Sequence, residues 1–201
     1  MQIREDWLLI KRQVAHIQIE VESLVISPAL VTMLIAAEDH RFGRHPGVDL
    51  VSICRAAWRT LFCGRREGAS TIAMQLVRVL TGRYERTLKR KLVEMCLAVR
   101  LTKYVKQADI PKLYLFVAYF GWRMNGLAQA SRRLNIDLLA MTEFEAASIV
   151  ARLKCPEPQK YDQIRLGKIR ARTKHILSRT IAPTEVMQPH QFQLGDTNGT
   201  L

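Results

Sequence analysis

Apolar side chains recur along this chain at intervals of three and four residues, which is the spacing of amphipathic helices. The strongest case is residues 85–104, where charged side chains occupy one helical face. The other face carries Leu88, Leu92, Cys96 and Val99. This pattern predicts a helix that turns its apolar face toward a core.

Capping residues mark the starts of further helices. Pro28 follows Ser27 as a first-turn proline follows an N-cap, Ser70 is a candidate N-cap, and Thr142 with Glu145 forms a capping box. The other predicted helices cover residues 28–40, 48–62, 70–80, 111–121, 144–153 and 164–179. No stretch gives a convincing strand, so the predicted fold class is mainly α.

The composition and charge of the chain limit the classes of protein to which it could belong. The 201 residues include 31 Lys and Arg against 18 Asp and Glu, a net charge of +13, yet 48% are apolar, which excludes a disordered polycation. We predict one domain over residues 28–180, a lead-in over 1–27, and a polar, disordered tail over 181–201. The most apolar segment, residues 24–37, is too short to span a membrane. The four cysteines are widely spaced and are interpreted as small apolar fillers.

The positive charge is concentrated in two stretches. Residues 85–107 carry seven basic and two acidic side chains, and residues 152–179 carry nine and two. Solvated helix faces would explain any single lysine. Two dense stretches favour an anionic partner, namely phosphate, lipid headgroups or nucleic acid.

Two carboxylates, Glu38 and Asp39, directly follow the apolar run 33–37. A carboxylate at the edge of a core is partly desolvated, and partial desolvation makes it a stronger base. Taken alone, however, this segment fits an ordinary solvent-facing helix end at least as well.

Two later stretches suit phosphate groups. Small and hydroxyl residues, Gly68, Ser70 and Thr71, stand at a helix start, although no P-loop ending follows them. Arg86, Arg90 and Glu94 recur every four residues and so share one helix face. A carboxylate beneath two guanidiniums would orient them toward a pyrophosphate, whereas the simpler alternative is a surface ion-pair ladder.

Taken together and in this order, these stretches resemble glycosyltransferase family 51, the peptidoglycan glycosyltransferases. The resemblance spans residues 30–162 and rests on four motifs, of which the third is Arg90, Lys91 and Glu94. The first comprises Glu38, Asp39, Phe42, His45 and Gly47. The second comprises Gly68, Ser70, Thr71, Ile72, Gln75 and Arg78, and the fourth Tyr114, Leu115, Tyr119, Phe120, Gly121, Gly126 and Ala130. Ala73, Met74, Arg78 and Phe116 depart from the family pattern.

The resemblance implies a lysozyme-like helical fold with a larger globular lobe and a smaller membrane-facing jaw. It implies polymerisation of lipid II, with Glu38 as the general base and inversion at the donor anomeric carbon. Binding of the pyrophosphate is assigned to cationic and polar residues: Ser70, Thr71, Gln75, Arg78, Arg86, Arg90 and Lys91. Glu94, the second catalytic carboxylate, would position these cations or hold a divalent metal such as Mg or Mn.

The implied partners are lipid II, the growing lipid-linked glycan strand, the membrane surface and other cell-wall synthesis proteins, with no nucleic acid. The implied location is the outer face of the bacterial cytoplasmic membrane. No signal or anchor is visible, and an N-terminal truncation of a longer chain is one expectation. Residues 48–62 would lie in the headgroup region or, equally well, in the core, whereas residues 164–179 are interpreted as a solvated cover.

Two other classes of function remain open at the sequence level. A lytic glycan hydrolase of related fold would need a single catalytic acid and no cation cluster. A non-enzymatic basic helical module would bind nucleic acid or membrane, with no role for Glu38.

Overall fold

The computed structural model describes residues 2–64 and 68–181, so the predicted disordered tail lies outside the described residues almost entirely. The helices are α1 Gln2–Ser23, α2 Pro28–Glu38, α3 Leu50–Cys63, α4 Ile72–Thr81, α5 Leu88–Tyr104, α6 Ile110–Val117, α7 Leu127–Leu134, α8 Glu143–Lys154 and α9 Gln163–Ile181. A 3-10 turn covers Gln107–Asp109. The strands β1 Tyr119–Gly121 and β2 Met124–Asn125 pair antiparallel. The predicted mainly α class is confirmed.

Local hydrogen bonding moves three predicted helix boundaries. Helix α4 begins after Thr71 and not after Ser70, because the Thr71 hydroxyl accepts from the Met74 amide at 3.2 Å. Thr87 caps α5 in the same way, so that helix begins three residues later than predicted. Helix α6 ends at Val117, since the chain turns there into the β1–β2 hairpin.

The predicted core face of α5 is wrong. Leu88 and Leu92 are 85% and 66% exposed, and Cys96 is exposed as well. The helix instead buries Glu94, Leu97, Ala98 and Leu101. Three apolar side chains share this buried face, and the cations that contact Glu94 allow its carboxylate to lie there as well. Cys54 and Cys63 are exposed too, so the interpretation of the cysteines as core fillers fails for three of the four.

The lead-in segment contains a long helix that the sequence analysis did not predict. Ile10, Val14 and Val21 of α1 are buried, and α1 packs against α4 and α6. The buried Asp6 carboxylate pairs with Arg83 at 2.9 Å, which ties α1 to the residue after the α4 C-cap. Residues 2–23 therefore pack on the same core as the predicted domain.

The core lies where α4 meets α5 and α6, and α2 packs on both α8 and α9. Helix α3 differs from these, because it buries only Ser52 and Ala56. The alternative that residues 48–62 form a core helix is therefore not supported. Within the described ranges, no helix is both long and apolar enough to cross a bilayer.

Gly47 is required where the loop after α2 crosses α5. Its φ of +91° lies in the region that favours glycine, and a Cβ there would stand 2.6 Å from the Ala98 carbonyl oxygen. Gly43 in the same loop has a similar φ of +87°, with nothing within 4 Å of the corresponding Cβ. The two positions thus share a backbone conformation but differ in steric room.

We predict that Gly47→Ala lowers the free energy of unfolding by about 3 kcal/mol, because backbone strain and a collision with α5 add together. Gly43→Ala is the matched control and should lower it by about 1 kcal/mol, from strain alone. Urea denaturation followed by circular dichroism measures both values. Equal losses in the two variants would contradict the proposed close approach.

Candidate active site

Glu38 is the last residue of α2, and donors from two other helices hold its carboxylate. Arg172 Nη2 of α9 donates to Oε1 at 2.5 Å, and Gln75 Nε2 of α4 donates to Oε2 at 3.1 Å. The Glu38 side chain is 15% exposed. Helices α2, α4 and α9 therefore meet at this carboxylate, which still reaches solvent.

Gln75 is itself held in place from below. The Tyr114 hydroxyl of α6 donates to Gln75 Oε1 at 2.8 Å, which leaves the Gln75 amide nitrogen directed at Glu38. Burial raises the pKa of Tyr114 well above its ordinary value, so its hydroxyl stays protonated as a donor. The second and fourth sequence motifs thus meet at Gln75.

Asp39 has a structural position. Its carboxylate is buried, with Oδ1 2.9 Å from His45 Nε2 and Oδ2 accepting from the Ile72 amide at 3.1 Å. The Thr71 hydroxyl donates to the Gly47 carbonyl at 2.6 Å. These bonds fix the loop after α2 onto the N-terminus of α4. Phe42, in the same loop, packs against the core.

Glu94 is buried beneath three cations. Its oxygens accept from Arg78 Nε and Nη2, both at 3.0 Å, from Lys91 Nζ at 2.9 Å, and from Arg90 Nη1. Lys91 also donates to Ser70 Oγ at 2.7 Å. The predicted contact of Arg90 with Glu94 is present, and Arg78 joins it from α4 through a bidentate pair. The prediction that Arg86 shares this helix face is wrong, because α5 begins at Leu88 and Arg86 is not among the cations that contact Glu94.

The electrostatics of this cluster favour its charged state. Burial alone would raise the pKa of Glu94, but hydrogen bonds from Arg78 and Lys91 outweigh it and bring the pKa below its ordinary value. The hydrogen bond to Glu94 raises the pKa of Arg78. Burial lowers the pKa of Lys91 in spite of the same carboxylate. Glu94 is therefore ionised at neutral pH and holds its cations in fixed positions.

An open cleft of about 990 Å³ joins the two halves of the site. Glu38, Asp39, Gly68, Ser70, Gln75, Arg78 and Arg86 line it, as do Ala36, Ala37 and His40. Thr71, Arg90, Lys91 and Glu94 do not line this cleft. The structure thus brings Glu38 together with Arg78 and Arg86 in one cleft. The other motif cations, Arg90 and Lys91, contact Glu94 outside the cleft lining.

Sequence analysis missed one wall of this cleft. Arg172, His175 and Arg179 of α9 line it, together with Lys154 and with Arg55 and Arg59 of α3. Helix α9 packs on α8 and α2 through Ile169, Thr173 and Ile176. It is therefore not a solvated cover. The spacing of those three buried positions places Arg172 near the inward face, and this was the available signal.

The α9 wall makes this end of the cleft positive. The pKa of His40 lies below its ordinary value, first because the ring is partly desolvated and then because Arg55 and Arg179 repel its protonated form. Because His40 is neutral, the positive electrostatic potential here comes from Arg172, Arg179 and Lys154. Such a wall favours an anionic ligand.

The fourth motif contains two glycines at which the backbone passes close to other parts of the chain. A Cβ at Gly121 would stand 2.4 Å from the Glu157 amide nitrogen, and one at Gly126 would stand 2.3 Å from the Phe116 carbonyl oxygen. Both residues have positive φ values. Tyr119, by contrast, is 52% exposed and does not line the cleft. Gly121 therefore allows the hairpin to pack against the loop after α8, and Gly126 allows the chain to pass close to the end of α6.

The departures from the family pattern fit their surroundings. Ala73 and Met74 are buried in the core, where apolar side chains need no hydrogen-bond partner. Phe116 also packs against the core. Arg78 stands where the family has lysine, and its planar guanidinium makes the bidentate contact with Glu94.

Glu94 does not have the surroundings of a metal ligand. Both of its oxygens already accept hydrogen bonds from cationic side chains. Among the residues that the structure describes, no group of three His, Cys, Asp or Glu side chains is placed to hold a metal ion. The predicted divalent cation stays a prediction.

Comparison with known proteins identifies the family. The family model described as Transglycosylase matches residues 9–181. The chain is 42% identical over 122 residues to penicillin-binding protein 1A of Escherichia coli, covering 59% of this chain and 14% of that protein. Penicillin-binding protein 1A of Rickettsia typhi is 33% identical over 159 residues, or 77% of this chain and 20% of that protein.

A third relative, penicillin-binding protein 1F of Bacillus subtilis, is 34% identical over 124 residues, covering 61% of this chain and 17% of that protein. The chain belongs to the transglycosylase family, and the resemblance found in its motifs is confirmed at that level. The chain spans a fifth or less of the length of these relatives.

Proposed function

We propose that this chain is a peptidoglycan glycosyltransferase that polymerises lipid II into glycan strands. The observation that carries the proposal is that one cleft is lined by the Glu38 carboxylate and by the guanidiniums of Arg78 and Arg86. A base and a set of cations in one cleft suit a transfer reaction in which a hydroxyl attacks and a pyrophosphate departs. Membership of the transglycosylase family supports the same class of reaction.

Glu38 acts as the general base in this proposal. Its carboxylate removes the proton from the 4-hydroxyl of the acceptor sugar as the oxygen attacks the donor anomeric carbon. A new glycosidic bond forms, the bond to the lipid pyrophosphate breaks, and the anomeric configuration inverts. The logic is that of an inverting glycosidase in which a sugar hydroxyl replaces water.

Arg78 and Arg86 stabilise the leaving group. Negative charge grows on the pyrophosphate as its bond to the sugar breaks, and cations already in place lower the free energy of that transition state. Arg90 and Lys91 support this arrangement through their contacts with Glu94. In this proposal Glu94 is a positioning residue, because its oxygens accept hydrogen bonds from cationic side chains and it does not line the cleft.

We predict that Glu38→Gln abolishes polymerisation, with a loss of at least 1,000-fold, because the amide cannot accept the proton. The measurement is the formation of glycan polymer from purified lipid II by the wild-type chain and the variant. The Glu38→Gln chain should still fold and bind the substrate.

Glu143→Gln is the matched control, because this substitution makes the same chemical change away from the cleft. Glu143 is exposed in the first turn of α8. It should polymerise at the wild-type rate. Unchanged polymerisation by the Glu38→Gln chain would overturn the assignment of the base. Fragmentation of finished strands by the wild type, without polymer, would support a lytic hydrolase.

We also propose that the chain works at the outer surface of the bacterial cytoplasmic membrane, with α3 in the headgroup region. Trp58, Leu61 and Phe62 are each more than 60% exposed, and the Trp58 and Phe62 rings stack at 4.1 Å between centroids. Arg55 and Arg59 lie on the same helix and line the cleft. An apolar surface beside a cationic cleft suits a substrate whose lipid stays in the bilayer.

We predict that the double variant Leu61→Ser, Phe62→Ser binds vesicles containing phosphatidylglycerol at least tenfold more weakly, because two large apolar side chains no longer leave water on binding. Co-sedimentation with the vesicles measures the affinity. Leu139→Ser, Phe144→Ser is the control, since that pair is 61% and 57% exposed elsewhere. Equal losses in the two double variants would refute a specific role for α3.

A further inference from the structure

Arg172 is the closest cationic neighbour of Glu38 described by the structure. Its Nη2 lies 2.5 Å from Glu38 Oε1, and the two side chains are only 16% and 15% exposed. An ion pair that is mostly withdrawn from water is screened less than one on the surface. The charge of Arg172 therefore acts strongly on this one carboxylate.

The packing of α9 sets the position of Arg172. Ile169, Thr173 and Ile176 are buried, and α9 packs on both α8 and α2. These buried positions hold the helix on both sides of residue 172. The guanidinium therefore reaches Glu38 from a fixed backbone and not from a free surface helix.

The two carboxylate oxygens of Glu38 have different partners. Arg172 holds Oε1, and the neutral amide of Gln75 holds Oε2 at 3.1 Å. Each oxygen retains a second lone pair for a proton. The two donors therefore fix the plane of the carboxylate without blocking it.

We propose that Arg172 is a positioning residue for the general base, which rests on the function proposed above. It holds the Glu38 carboxylate in one orientation toward the cleft, so that the base is in place before the acceptor hydroxyl arrives. A base held in one orientation loses less rate to misaligned encounters than a mobile one. This role is additional to the pyrophosphate-binding cations, because Arg172 contacts the base itself.

The test compares three variants in the lipid II polymerisation assay. Arg172→Met should lower kcat by about 10- to 100-fold and change KM by less than threefold, because the base loses its fixed orientation but the substrate contacts remain. Arg172→Lys, which keeps a cationic donor, should recover part of the lost kcat.

Arg170→Met is the matched control, because Arg170 is exposed on the same helix and does not line the cleft. It should leave kcat and KM unchanged. An Arg172→Met chain with the wild-type kcat would overturn the proposal. A loss confined to KM would also overturn it, since Arg172 would then bind substrate.

A second readout separates this proposal from the proposed function. In chains labelled with 13C at the glutamate carboxyl, Glu38→Gln assigns the resonance of residue 38, and NMR relaxation reports the mobility of that carboxylate. The carboxylate should be more mobile in Arg172→Met than in the wild type or Arg170→Met, whether or not the chain polymerises lipid II. Equal mobility would refute the role of Arg172 even in an active enzyme. An inactive wild type whose carboxylate becomes more mobile in Arg172→Met would refute only the proposed function.

Discussion

The buried Glu94 carboxylate is the interaction on which the arrangement of the cleft depends. Its single negative charge attracts Arg78 of α4 and Arg90 and Lys91 of α5 at once. This attraction offsets part of the repulsion among the three cations and allows them to gather between the two helices. Loss of one partner from a buried ion cluster leaves uncompensated charge, at a typical cost of about 3–5 kcal/mol. Arg78 reaches the cleft because this carboxylate holds it there.

Polar contacts between loops and helix ends bring the base to the same cleft. Asp39 joins His45 to the Ile72 amide, which places the end of α2 over the start of α4. Gln75, one turn further along α4, then meets both Glu38 and Tyr114. The motif residues therefore divide into those that face the cleft and those that hold the others in position, a division that depends on helix direction and burial.

The sequence predicted which segments form helices and which motifs they carry better than it predicted which face of each helix is buried. Capping residues and apolar spacing located most helices, since both are local signals. The inward face of α5 was assigned wrongly because the burial of Glu94 depends in part on Arg78 of another helix, a contact that local spacing does not record. The role of α9 was missed for the same reason: Arg172 meets a carboxylate 134 positions away in the sequence. Helix α1 and the β hairpin, whose contacts are also nonlocal or very short, escaped prediction as well.

Calorimetric titration of inorganic pyrophosphate into the wild-type chain and Glu94→Gln shows whether Glu94 holds its cations in place for a pyrophosphate, as the proposed function requires. Net charge alone would make the variant bind this anion more tightly, because one negative charge is gone. We expect instead a weakening of about tenfold, since Arg78 loses its bidentate partner and its fixed orientation. Tighter or equal binding by the Glu94→Gln chain would show that Glu94 does not organise these cations.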